Sequence, residues 1–225
     1  MRIRWFGQSA FLLTGSVRVA IDPFGDVGAV SQRQFDYPPI SATADLLLIT
    51  HEHFDHNAAE VIAGDPPVIR STAGTFDSPT GEVRAIASEH DDAAGTQRGP
   101  NSIVVFALDG LHVCHFGDFG QAALRPEQRA AIGTVDVLML PVGGGPTVGG
   151  ESAAAIVREL SPQLVIPMHY RTDAIDFLDP PDAFLEALAW PVERLDSSRV
   201  DVGALLAGGS DPVVVLPRAD CLPLA

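Results

Sequence analysis

The apolar positions of this chain fall into short runs. Arg2–Phe6, Ala10–Leu13 and Val17–Ile21 are brief β-type stretches separated by Gly7 and by Thr14-Gly15, the punctuation of a meander or hairpin. A Pro-, Gly- and Asp-rich loop, Asp22–Ala42, leads to Ala44–Thr50 (ADLLLIT), whose continuous apolar centre reads as a strand buried on both faces. A short helical stretch is expected near Asn57–Ala63. Further strands are expected at Val68–Arg70, Val83–Ala87, Ser102–Leu108 and Leu111–His115, then a helix around Arg125–Ile132. The second half alternates more cleanly: strand Asp136–Val142, a Gly-rich loop, helix Glu151–Leu160, strand Leu164–Met168, helix Pro181–Trp190 and strand Pro212–Pro217. Early meanders followed by strand–helix units predict an α/β (α+β) protein of two packed, mixed sheets with helices outside.

With 225 residues and 46% hydrophobic content, the chain is long enough for one sizeable core, and a single domain over residues 1–225 is the expectation. No apolar run approaches a membrane span, and the N-terminus enters strand-like sequence without the pattern of a secretory signal. A soluble, cytoplasmic protein with no membrane partner is expected. The formal charge of −15 opposes nonspecific association with nucleic acid or anionic lipid. All 14 basic residues are Arg, which excludes lysine Schiff-base chemistry and the lysine-dependent phosphate loop. Two cysteines, Cys114 and Cys221, cannot build a disulfide framework and read as structural.

Against this background His51–His56 stands out: HEHFDH, immediately after the buried strand. Imidazole nitrogen and carboxylate oxygen suit zinc, manganese and iron. Three imidazoles and the Asp55 carboxylate within six positions, in a chain with seven histidines in all, outweigh the reading as a His-rich surface loop. His51 and His53 can point the same way from extended backbone, with Asp55 and His56 beyond a bend, a geometry able to feed two adjacent metals. Further ligands are expected at strand ends, where His90 (SEHDD), Asp118 (HFGDFG) and His169 (PMHY) lie.

HEHFDH followed by His90, Asp118 and His169 closely resembles the metallo-β-lactamase superfamily over nearly the whole chain. IDPF, RGPNSI and PVGGGPT look like its small cytoplasmic hydrolases, among which the phosphorylated-ascorbate lactonase type is the named resemblance. The resemblance implies a four-layer αββα sandwich with metals at one edge between the sheets. It implies His51, His53 and His90 on one divalent ion, Asp55, His56 and His169 on a second, and Asp118 bridging them. Zinc is the first expectation, manganese or iron the alternatives. Flavin-partnered di-iron members read HxExDH, whereas this chain has His53 at that third position. Two ions of this kind lower the pKa of a bridging water and polarise the scissile bond's oxygen, with Asp55 expected to orient the nucleophile and carry its proton.

Around this set the sequence offers weaker signals. Asp22 is the favoured hydrogen-bond partner of a ligand imidazole, against a plain Asx turn. His115 either reaches the site or is a hydrogen-bonded core histidine, and His112 reads as strand surface. His112, Cys114 and His115 do not converge, because strand alternation splits them between faces. The loop Gly143–Gly150 precedes a helix and reads either as a seat for a substrate anion, with Thr147 as hydroxyl donor and Arg98 or Arg171 nearby, or as a tight connection. Tyr170 faces the metals or packs. The resulting expectation is a dinuclear metal-dependent hydrolase of a small-molecule ester, lactone, amide or phosphoester. A metallo-phosphodiesterase or nuclease, and a metal-binding sensor without turnover, are the alternatives. Homo-oligomerisation is left open.

Overall fold

The computed structural model describes residues 1–28, 33–209 and 211–220. Cys221 and part of the Asp22–Ala42 loop lie outside the described residues. The early apolar runs form β1 (Arg2–Gly7), β2 (Ala10–Thr14) and β3 (Arg18–Ile21), an antiparallel meander. A two-residue strand, β4 (Ala42–Thr43), precedes β5 (Leu46–Ile49), which lies parallel to β3. After the HEHFDH segment come β6 (Ile62–Ala63), paired with β4, and β7 (Val68–Arg70), parallel to β5.

A second antiparallel meander follows in β8 (Gly74–Ser78), β9 (Gly81–Glu89), β10 (Pro100–Leu108) and β11 (Leu111–His115). From there helices intervene and pairing turns parallel through α1 (Pro126–Ile132), β12 (Val137–Pro141), α2 (Gly150–Leu160) and β13 (Leu164–Met168). The remaining elements are α3 (Asp182–Leu188), β14 (Val192–Arg194), β15 (Arg199–Asp201), α4 (Val202–Ala207) and β16 (Val213–Leu216).

These strands make a six-stranded sheet ordered β15-β1-β2-β3-β5-β7 and an eight-stranded sheet ordered β14-β16-β13-β12-β11-β10-β9-β8. Both are mixed, and together with the helices they give the four-layer αββα architecture; α2 and α3 pack on each other, and α4 packs on β1. One continuous apolar cluster joins the sheets, from Trp5, Phe11 and Leu46 to Val113, Met139 and Ile166. All four residues of β5 are buried, at roughly 1.5–3 kcal/mol for each such side chain. That gain offsets the roughly 1–3 kcal/mol that an unpartnered buried polar atom costs, so the strand can carry a demanding polar cluster at its end. No helix among the described residues is long and apolar enough to cross a membrane.

The expected helix at Asn57–Ala63 is not formed. A single 3₁₀ turn, Ala59–Val61, is followed directly by β6. Long-range bonds decide this: Ala58 N–H donates to the Pro23 carbonyl at 2.9 Å, and Ile62–Ala63 pairs in parallel with Ala42–Thr43. The sequence reading also passes over β8, β14, β15 and α4, all short or at sheet edges.

Candidate metal centre

Every residue of the predicted ligand set leaves a strand end at the place where the two sheets meet. His51–His56 follows β5, and His90 follows β9. Asp118 lies beyond β11, and His169 follows β13. The β1–β2 turn adds Gln8 and Ser9. Gln8, Asp22 and His169 all hold left-handed backbone, at φ 49°, 45° and 50°. Such strain in non-glycine residues persists only where surrounding contacts enforce it. Here His169 N–H donates to the Gln8 carbonyl and Asp22 N–H to that of Leu48.

At the centre is one oxygen. Asp118 Oδ2 stands 3.1 Å from His169 Nε2, 3.2 Å from His90 Nε2, 3.3 Å from His56 Nε2 and 4.0 Å from His51 Nε2. Ser9 Oγ donates to the other carboxylate oxygen at 3.0 Å, and Asp118 N–H donates to Asn101 Oδ1 at 3.0 Å. Gly117, at φ 54°, lets the chain make this approach, because a Cβ there would strike Asn101 and Thr50.

The outer nitrogens of three of the rings, His90, His56 and His51, are committed. His90 Nδ1 donates to the Pro146 carbonyl at 3.0 Å and His56 Nδ1 to Asp22 Oδ2 at 3.1 Å. Thr50 spends its hydroxyl hydrogen on Asp22 Oδ2 at 2.6 Å, so His51 Nδ1, 3.0 Å away, must donate to the Thr50 oxygen. With Nδ1 protonated, the neutral rings of His51 and His90 present bare Nε2 lone pairs to the centre. Burial pulls His51 far below the usual histidine range and lowers His53 as well. Burial acts the same way on His56, but Asp118 and Asp55 override it and hold that imidazole well above its ordinary value. For Asp118 burial opposes ionisation, and His169 and His56 nonetheless keep its carboxyl well below the carboxylate range.

A carboxylate oxygen with two lone pairs cannot satisfy four imidazoles. His56 Nε2 and His169 Nδ1 are buried without a hydrogen-bond partner. Ligand-type atoms fall within 4.8 Å of one another in three groups: His51/His53/His90, Asp55/His56/His169 and Asp22/His51/His56. In the third group Asp22 spends both oxygens on Thr50 and His56 Nδ1, so it orients a ring. The first two groups flank Asp118. Their spacing matches the roughly 3.3 Å that separates neighbouring ligand atoms on a tetrahedral ion with bonds of about 2.0 Å: His51 Nε2 and His53 Nδ1 are 3.2 Å apart. The residues fit divalent metal.

Other expected site residues are distributed differently. His115 is a core histidine: Nε2 donates to the Ser9 carbonyl and Nδ1 accepts from Gly117 N–H, both at 3.0 Å, so it braces the turns that aim Ser9 and Asp118. The expectation of substrate contact is corrected for Tyr170, which is buried against Trp5 with ring centroids 5.4 Å apart. It is corrected for Thr147 too, whose hydroxyl donates to the Gly144 carbonyl and which lines an adjoining cavity outside the histidine cleft. Arg171 is committed to the Leu178 carbonyl at 2.7 Å. Arg98 does line the cleft.

Gln8, Ser9, Thr50 and Asn101 escape the sequence reading. A polar Gln8-Ser9 pair between two apolar strands was the available signal. Glu52 also escapes: its carboxylate takes Arg70 Nε at 2.8 Å and Nη2 at 2.6 Å, Ser71 Oγ at 2.6 Å and Asn57 Nδ2 at 3.1 Å, pinning HEHFDH to the end of β7. Arg70 first, then Ser71 and Asn57, hold the Glu52 carboxyl at about 2, below its ordinary 4.5. A depressed folded pKa means stabilisation present above about pH 4.5 and lost as pH falls through about 2. The pair is half-exposed, so Glu52→Gln is expected to cost under about 1 kcal/mol. Melting of chelator-treated protein should show a gap between variant and parent at pH 5 that closes toward pH 2; a gap independent of pH refutes the role.

Two mixed sheets between helices, with a buried histidine–carboxylate cluster at their common edge, define a metal-dependent hydrolase of the metallo-β-lactamase class. Residues 2–169 match the beta-lactamase superfamily domain. The chain belongs to the UPF0173 metal-dependent hydrolase family of that superfamily. It is 35% identical to the Methylobacterium nodulans member over 84% of this chain and 92% of the relative, and 30% identical to that of Thermococcus kodakarensis over 76% and 85%. It is also similar to the crystal structure of an inferred zinc-dependent hydrolase of the metallo-β-lactamase superfamily from Thermotoga maritima, with TM-score 0.79, 29% identity and coverage of 97% of this chain and 99% of that one.

Proposed function

We propose that this protein hydrolyses a small-molecule ester, lactone, amide or phosphoester in the cytoplasm with two divalent ions, zinc first. His51, His53 and His90 would hold one ion, Asp55, His56 and His169 the other, with Asp118 between. The observation that carries this is the convergence of four imidazoles on Asp118 Oδ2, with a separate triad on either side. Divalent ions there supply a water acidic enough to ionise near neutral pH and a Lewis acid for the substrate's oxygen.

The chain's own groups do the rest. Asp55 lines the cleft, and Gln8 Nε2 donates to its Oδ2 at 3.2 Å. That bond fixes the carboxylate at the cleft, where it could take a proton from the attacking water and pass it to the leaving group. Asp22, Thr50 and the Pro146 carbonyl lock the ring orientations of His56, His51 and His90. Asp118 and Asp55 hold the His56 imidazole well above its ordinary pKa, so an ion held by its Nε2 would compete with a proton there and occupancy would depend on pH.

The test is elemental analysis of zinc-reconstituted protein, with two ions per chain expected, run beside a lactone and aryl-ester panel and a fluorogenic phosphodiester. The resemblance to phosphorylated-ascorbate lactonases puts lactones first. One ion per chain refutes the dinuclear reading, and faster phosphodiester cleavage favours a phosphodiesterase.

A further inference from the structure

The cleft over the histidine cluster encloses about 520 Å³, within the roughly 300–1,000 Å³ typical of small-molecule sites. Besides Gln8, Pro146 and the cluster, its wall has two kinds of residue: the aromatic rings of Phe35, Phe54 and Phe177 with Val27, and the guanidinium groups of Arg33 and Arg98. We propose that the cleft selects substrates joining an anionic group, carboxylate or phosphate, to an apolar body, with Arg98 and Arg33 receiving the anion and the phenylalanines the body. The proposal rests on the reading of the cluster as the seat of hydrolysis.

Three features support it. Arg98 is placed on a rigid loop: the Asp91 carboxylate accepts the backbone N–H groups of Ala93, Gly95, Gln97 and Arg98 at 2.7–3.0 Å, while His90 N–H donates to the Gly99 carbonyl at 3.1 Å. One short loop therefore carries a metal-cluster imidazole and fixes the backbone from which Arg98 projects. Arg4, Arg18, Arg70 and Arg125 meet carboxylates within 3 Å; among the described residues the Arg98 side chain has no such partner.

Arg33 sits over the Phe177 ring, 5.1 Å from its centroid. Its loop is stitched to the segment that carries Phe177: Gln34 Nε2 donates to the Asp173 carbonyl at 2.9 Å, Asp36 N–H to that of Ala174 at 2.9 Å, and Tyr37 and Thr172 hydroxyls lie 2.7 Å apart. Phe54 is 57% exposed, the one aromatic among the large exposed apolar side chains described. An aromatic ring left in water at the rim of a cleft gains by covering an apolar body. Two arginines on one cleft also run against the chain's charge of −15.

The experiment compares para-nitrophenyl hemisuccinate with para-nitrophenyl butyrate on zinc-loaded protein and on the Arg33→Gln/Arg98→Gln double variant, with metal content checked in both. The parent is expected to prefer the hemisuccinate in kcat/KM by about tenfold or more, the scale of one charged hydrogen bond, and the double variant to lose that preference. No preference in the parent overturns the proposal. So does a preference that survives in the double variant, since the metals alone would then select the anion. If neither ester turns over, the hydrolase reading fails separately, and titration of the same proteins with phenylpropionate and phenylpropanol decides anion selection by the same two criteria.

Discussion

Replacing Asp118 by asparagine is expected to strip the protein of metal and abolish hydrolysis. Asp118 is buried, ionised by His169 and His56, and its Oδ2 is the atom on which four imidazoles converge. Asparagine keeps the shape but offers a neutral oxygen or an N–H to the same four nitrogens, so the negative charge at the centre of the cluster disappears. Loss of an outer hydrogen-bond partner of a ligand costs roughly 10–100-fold in metal affinity; loss of the shared carboxylate should exceed that for both ions. Elemental analysis should find the variant below one ion per chain at concentrations that saturate the parent, and added zinc should no longer raise its melting temperature. A variant retaining two ions and turnover would remove Asp118 from the centre. The orphaned His56 Nε2, which faces Asp118, makes the same argument from the opposite side, since a stable fold bears such an atom at a cost that ion binding can offset.

The residues of the histidine–carboxylate cluster were legible for a physical reason. Each lies where an apolar run stops, and a run such as Leu46–Ile49, buried on both faces, can only be a central strand. The stretch from β12 to β13 was read almost to the residue because β12, α2 and β13 repeat one strand–helix rule whose parallel pairing follows. Asn57–Ala63 was misread because its composition favours helix, while Pro23 and β4 claim its backbone from more than ten residues away. At α4 a usable signal was missed: Asp201 caps the helix by accepting Ala204 N–H at 3.0 Å. Apart from Arg98, the apolar and basic wall of the cleft was not legible. Arg33, Phe35 and Phe177 stand on irregular loops joined across about 140 residues of sequence, and loop side chains carry no period from which a direction could be read.

Asp55→Asn is expected to separate chemistry from binding. The amide keeps an oxygen for the bond from Gln8 Nε2 and keeps the side chain's volume, so the turn between His53 and His56, closed by His56 N–H on the His53 carbonyl at 2.9 Å, has no reason to move. What is lost is a basic oxygen. General acid–base groups contribute about 10²–10⁴-fold, so kcat should fall by roughly that factor, while zinc content stays near the parent's. Asp55 is one of three donors in its group, beside His56 and His169, and Asp118 remains to hold charge; metal retention is therefore the expected half of the result. If zinc content falls in step with kcat, Asp55 acts as a ligand alone, and the proton must be carried by another group in the cleft. The buried Oε1 of Gln8, which has no partner, can accept a hydrogen bond but not hold a proton near neutral pH, so it could orient the attacking water without replacing Asp55 as its base.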